Sequence, residues 1–192
     1  MERLRLFVAV SVPGPLLARL EERTRELRAA WPSARWIPRE NQHVTLKFLG
    51  PVEAPVLAPV KETVRAVAED HAPAYLTPSF PGVFPSRTRA RVLWVGLDDP
   101  DDLLAALAAD LDTALAPLGF NAEKRPFRAH LTLARFRDPV RVKDDVLGID
   151  LRDFEDFRVS SIELFRSHLH PKGARYEVIE SFALGKPPRA GQ

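Results

Sequence analysis

Residues 4–12 are apolar and β-branched and run into Pro13-Gly14, a pattern that predicts a first strand and a turn. From Pro15 to Ala30 apolar residues recur at Leu16, Leu20 and Leu27 with charges between them. That spacing predicts an amphipathic helix with proline near its first turn, ended by Trp31-Pro32. Residues 42–49 read as a strand stopped by Gly50-Pro51. Val56, Val60, Val64 and Val67 share one face of a helix over about 54–70, whose start Pro55 and Pro59 disturb. Residues 74–84 are extended and rich in Pro, Phe and Ser, and Arg91–Leu97 is a buried strand. Asp98–Asp102 supplies an acidic start for a helix over Leu103–Leu115. A strand over 129–136 and a short helix over 141–149 follow. Strands over about 157–168 and 174–184 are joined by His170-Pro171-Lys172-Gly173 as a hairpin turn. Helices and strands thus interleave with a hairpin, which predicts an α+β fold with antiparallel or mixed sheets over 1–185, followed by a Pro/Gly-rich tail over 186–192.

The chain contains an internal echo. His43-Val44-Thr45-Leu46 and His130-Leu131-Thr132-Leu133 both read His-apolar-Thr-Leu, 87 residues apart, and each falls inside a predicted strand. Two copies of one supersecondary unit predict two lobes related by a local two-fold axis. Side chains of a strand alternate between faces, so His43 and Thr45 point one way while Val44, Leu46 and Phe48 point the other. His130 and Thr132 do the same, with Leu131 and Leu133 buried. If the sheets face each other, two imidazoles and two hydroxyls converge on a groove.

That set suits phosphodiester cleavage by acid–base chemistry. A neutral imidazole removes a proton from the attacking oxygen, and an imidazolium protonates the departing one. Threonine hydroxyls can donate to the non-bridging phosphate oxygens. A single His-x-Thr on a strand is more often an ordinary surface or core pair; two copies in matched apolar context carry the inference. A strand metal pair would usually read His-x-His, and no carboxylate stands at matching spacing, so no metal and no cofactor are expected. The remaining histidines, His71, His168 and His170, lack the pattern and read as structural.

Composition sharpens this reading by exclusion. The chain has no cysteine, which removes disulfides, thiolate nucleophiles and Cys-ligated zinc. No apolar run approaches the roughly 18 residues of a membrane span, and the short apolar start reads as a strand rather than a secretory signal, so a cytoplasmic location is expected. Net charge is +2, yet Arg outnumbers Lys 22 to 6. Compositional bias explains such an excess; an arginine-lined phosphate surface is the functional alternative.

The paired motifs resemble those of the 2H phosphoesterase superfamily. Within it, His43-Val-Thr-Leu-Lys-Phe-Leu-Gly50 and His130-Leu-Thr-Leu-Ala-Arg135-Phe are similar to the RNA 2′,3′-cyclic phosphodiesterase (2′-5′ RNA ligase) branch. So are the opening Arg5-Leu6-Phe7-Val8-Ala9-Val10 and the Arg91-Val92-Leu93-Trp94 strand, and the likeness runs from about 4 to 184. The resemblance implies a bilobal α+β fold with a central groove and hydrolysis of a terminal 2′,3′-cyclic phosphate to a 2′-phosphate without metal. It makes His43 the proton donor, His130 the proton acceptor and Thr45 and Thr132 the phosphate ligands. It also implies an ATP-independent reverse joining of RNA halves. The partner is then an RNA with a cyclic phosphate end, tRNA halves among the candidates, bound by a monomer. Other substrates in the superfamily are ADP-ribose cyclic phosphate and an RNA 3′ end trimmed as by an exonuclease; a non-catalytic RNA-binding module is the alternative of another class.

The resemblance also places Arg135 near the substrate. Strict alternation sends Arg135 away from the groove, so a bulge or strand end is required to bring it back. Phe7 is a candidate base-stacking ring or a core residue. Lys47 shares the face of His43 on strict alternation, as added positive field or as an edge lysine. Arg87, Arg89 and Arg91 alternate and could track an RNA backbone or simply solvate a loop.

Overall fold

The computed structural model describes residues 3–143, 147–170 and 173–185. Among these residues nine strands form two antiparallel sheets. The first holds β3 (His43–Glu53), β1 (Arg3–Ser11), β8 (Ser161–His168) and β9 (Arg175–Ala183), in that order. The second runs β2 (Arg35–Trp36), β6 (His130–Val140), β5 (Ala90–Asp98), β4 (Ala74–Phe84) and β7 (Phe157–Val159). The orders superpose: β3 answers to β6, β1 to β5, β8 to β4 and β9 to β7. The fold is the expected two-lobed α+β arrangement, and the His-x-Thr strands occupy matching places in its two sheets.

The helices cover the outer faces. In α3 (Leu57–Glu69), Val60, Val64 and Val67 form the buried stripe that the valine spacing predicts. In α4 (Leu103–Leu115), Leu104, Leu107, Leu111 and Leu115 are fully buried. Asp99 starts α4 by accepting the N–H groups of Leu103 and Leu104 at 3.0 and 2.7 Å. Although α4 follows a strand of the second sheet, its Asp112 reaches Lys47 on β3 of the first. Conversely, α1 (Gly14–Arg23) follows β1 but packs against the second lobe: Arg19 bonds Asp153, 2.8 Å away, and lies over the Phe154 ring. This exchange of helices ties the lobes into one body.

Two departures from the sequence pattern have local causes. The helix expected over Pro15–Ala30 is split into α1 and α2 (Arg25–Ala30) at Thr24, whose hydroxyl turns back to the Leu20 carbonyl at 2.8 Å. The strand expected to stop at Gly50-Pro51 continues to Glu53, because Gly50 takes a left-handed φ of 71° within the ladder and bends it without ending it. The short helix over 141–149, the hairpin turn at 170–173 and the tail over 186–192 fall wholly or partly on residues outside the described ones.

Candidate active site

On β3, Thr45 pairs with Ala9 while Lys47 pairs with Val8, so Leu46 is one residue too many for the ladder. On β6, Thr132 pairs with Trp94 while Ala134 pairs with Leu93, and Leu133 is the extra residue. Both copies of His-x-Thr-Leu therefore carry a bulge at the leucine, and a bulge reverses which face the following residues take. His43, Thr45, His130 and Thr132 line one cavity of about 290 Å³ between the sheets, while Val44, Leu46, Leu131 and Leu133 are buried in the core behind.

The bulge corrects strict alternation at three positions. Arg135 lines the cavity with the histidines instead of pointing away. Phe48, assigned to the core by its parity, is 60% exposed and lines the cavity as the counterpart of Arg135. Lys47 leaves the groove face altogether. At 1% exposure it is the core's buried cation, its ammonium paired with Asp112 and donating to the Asn121 carbonyl at 2.5 Å. It adds no charge to the groove, and although β3 is an edge strand its side chain points inward rather than blunting that edge.

Each imidazole rests on aromatic rings and is tied to the backbone just ahead of its strand. The His43 ring lies 4.7 Å from Phe7 and 5.7 Å from Phe165 between centroids, with Tyr176 edge-on at 5.1 Å. Phe7 is therefore a floor beneath His43; at 4% exposure it offers little ring surface to a base. The His130 ring meets Phe84 edge-on at 5.2 Å and Trp94 at 6.2 Å. His130 Nδ1 lies 2.7 Å from the Arg128 carbonyl, and His43 likewise hydrogen-bonds the carbonyl of Asn41, in both cases two residues upstream. A carbonyl can only accept, so Nδ1 of His130 keeps its hydrogen and Nε2 is left to exchange a proton with a substrate.

Burial and nearby positive charge favour the neutral form of both rings. Burial pushes the pKa of His43 down from 6.5 to about 4, and the charges of Arg135 and His130 add to that effect against the Asn41 bond. Burial and Arg135 also lower His130.

Sequence reasoning missed Arg5, Asn41, Phe48, Ser167 and Tyr176, which also line the cavity. Phe48 had a legible signal in its pseudo-repeat: in Leu133-Ala134-Arg135-Phe136-Arg137 two adjacent small or apolar residues precede an alternation in the opposite phase. Asn41 sits in a turn and Tyr176 on a distant strand, with nothing local to mark them. His71 bonds Asp110 and His168 bonds Glu177, at 2.8 and 2.7 Å, and neither lines the cavity. Among the described residues no three His, Asp or Glu side chains are grouped to hold a metal ion, and no helix is long and apolar enough to cross a membrane.

The chain is similar to several known proteins. An RNA 2′,3′-cyclic phosphodiesterase of Geobacillus stearothermophilus is 31% identical over 185 residues, covering 96% of this chain and 58% of that protein. One of Methanothermobacter thermautotrophicus is 31% identical over 186 residues, 95% of this chain and 100% of its own length. The crystal structure of E. coli LigT complexed with 3′-AMP matches with a TM-score of 0.76 and 26% identity, over 96% of this chain and 100% of that chain. Residues 13–171 match the family described as the 2′-5′ RNA ligase superfamily. The chain belongs to that superfamily, the 2H phosphoesterases that its paired His-x-Thr strands resemble.

Proposed function

We propose that this protein hydrolyses RNA ends bearing a 2′,3′-cyclic phosphate, leaving a 2′-phosphate. The observation that carries the reading is the pair of imidazoles on matching bulged strands, facing one cavity with two threonines and Arg135. The curated names of its relatives supply the substrate class.

The terminal phosphodiester enters as an anion and offsets the positive field of Arg135, so the site takes up a proton as substrate binds. His130 Nε2 accepts a proton from water as the water oxygen bonds to phosphorus. The P–O3′ bond breaks, and His43 gives its proton to O3′, leaving a 3′-hydroxyl and a 2′-phosphomonoester. Thr45 and Thr132 donate to the non-bridging oxygens, and Arg135 balances the charge gathering there. With the 5′-hydroxyl of a second RNA in the place of water, the same displacement forms a 2′-5′ phosphodiester and releases the 3′-hydroxyl, so RNA halves, tRNA halves among them, are joined by the energy of the cyclic phosphate, without ATP.

The test is product analysis on an oligoribonucleotide with a cyclic phosphate end, run beside ADP-ribose cyclic phosphate and a plain 3′-hydroxyl RNA. A 2′-phosphate formed from the first and little turnover of the other two is expected. Preference for either of the others overturns the substrate assignment. A substrate whose 3′ leaving atom is sulfur separates the histidine roles, since a thiolate departs without an acid. It should restore much of the activity to His43→Ala and none to His130→Ala; rescue of His130→Ala exchanges the roles.

A further inference from the structure

The cavity lies against the first sheet, where Phe7, Phe48 and Tyr176 line it. On the other side of His130, outside that cavity, the second sheet carries a separate set of rings. Phe84 stacks on Trp94 at 4.9 Å between centroids and Phe80 meets Trp94 edge-on at 5.9 Å. Trp94 pairs with Thr132 across the ladder and so stands on the groove face beside it. The indole lies flat on β4 because the residue beneath is Gly82, where a Cβ would come within 2.3 Å of the ring.

Two features of this shelf are unexplained by folding alone. Phe80 is 64% exposed, although Trp94 beside it is 7% exposed. The Trp94 N–H and the Ser79 hydroxyl, which lies against Gly96, are buried and find no hydrogen-bond partner among the described residues. The exposed Phe80 ring, backed by the buried Trp94 indole and Phe84, is a surface suited to stacking an aromatic ligand, which is the chemistry of a nucleobase. The strand then leads from Phe84 into a turn whose Arg87 and Arg89 are exposed.

We propose that Phe80, Phe84 and Trp94 form a second base-stacking subsite, taking the nucleotide immediately 5′ of the reactive end. This rests on the cyclic phosphodiesterase reading. The terminal nucleoside occupies the cavity on the first-lobe side, the phosphate lies between the histidines, and the preceding base stacks on the second-lobe shelf. From there the RNA backbone leaves over the arginines of the β4–β5 turn. The enzyme consequently reads an oligonucleotide end and not a lone cyclic nucleotide, with tolerance for base identity because every base presents a π-face.

The test compares adenosine 2′,3′-cyclic phosphate with the dinucleotide ApA ending in the same group. In the wild-type protein kcat/KM should favour the dinucleotide by roughly 10-fold, the order expected of one stacked base. Phe80→Ala should bring that ratio to about 1, and Phe80→Tyr should restore it. A wild-type ratio near 1, or one that survives Phe80→Ala, overturns the proposal. Binding gives an independent readout: a trinucleotide with a terminal 2′-phosphate carries 2-aminopurine at the penultimate position. Its fluorescence should be quenched by the wild-type protein and not by Phe80→Ala. Quenching without hydrolysis of either substrate keeps the shelf and overturns the cyclic phosphodiesterase reading; hydrolysis without quenching overturns the shelf.

Discussion

Replacing Lys47 by methionine separates the bulged strand from a regular one. On a regular strand Lys47 would stand beside Thr45 in the groove, and its loss would weaken phosphate binding while barely affecting stability. In the structure its ammonium is fully buried against Asp112, whose side chain is 22% exposed, and the Asn121 carbonyl. Methionine keeps the volume but leaves a carboxylate and a carbonyl without their cation. Removing one partner of a buried ion pair costs about 3–5 kcal/mol, and the partial exposure of Asp112 places this case near the lower end, about 3 kcal/mol. With a urea slope on the order of 2 kcal/mol/M, the unfolding midpoint should fall by roughly 1.5 M at unchanged slope. In urea-free buffer, kcat on a cyclic-phosphate RNA should stay within about 3-fold of wild type. Adding Asp112→Leu should return most of the lost stability, because the orphaned charge is gone. A midpoint shift under about 0.3 M, or a large rise in KM with stability intact, would refute the bulge as the device that sorts these side chains.

Further outcomes follow from the same geometry. Because both imidazoles sit below 6.5, kcat/KM should peak on the acid side of 6.5, and the profile of kcat should lie at higher pH, since the bound phosphate anion raises the pKa of each imidazole. Folding stability should decline as pH falls from 6.5 to about 4, by at most roughly 3 kcal/mol, since the unfolded chain binds a proton on His43 that the native state refuses; His43→Gln should flatten that slope in pH-dependent urea melts. Arg135→Ala should move the His43 and His130 titrations seen by NMR to higher pH, and no movement would mean that its charge does not reach them. Thr45→Val and Thr132→Val should each lower kcat/KM by about 10- to 100-fold with little change in melting temperature.

The parts of the fold that depend on local pattern were legible. Valines at 56, 60, 64 and 67 and leucines from 103 to 115 announced α3 and α4, and the repeated His-apolar-Thr-Leu announced two related lobes. The first half of each motif was also sorted correctly by alternation, which put His43 and Thr45 on one face and Val44 and Leu46 on the other. Alternation failed one residue later, because a bulge is a property of the pairing partner as much as of the strand. Nothing in Leu46 alone says that Ala9 and Val8 will leave it unpaired. Hence Arg135 returned to the groove, Phe48 came with it, and Lys47 went inward to an aspartate on a helix 65 residues downstream. Asn41 and Tyr176 illustrate a second limit. They reach the site through tertiary packing, Asn41 by bonding the carbonyl of Ala174 at 2.9 Å, and no local pattern encodes that closure.

The central claim is that His43 and His130 are the acid–base pair. Its most direct test follows an RNA with a 2′,3′-cyclic phosphate end by 31P NMR, in excess EDTA, with the wild-type protein and the two single histidine-to-alanine variants. Conversion to a 2′-phosphomonoester by the wild type and losses of about 10²–10⁴-fold in each folded variant are expected. Full turnover by either variant, or loss of wild-type activity to EDTA alone, contradicts it.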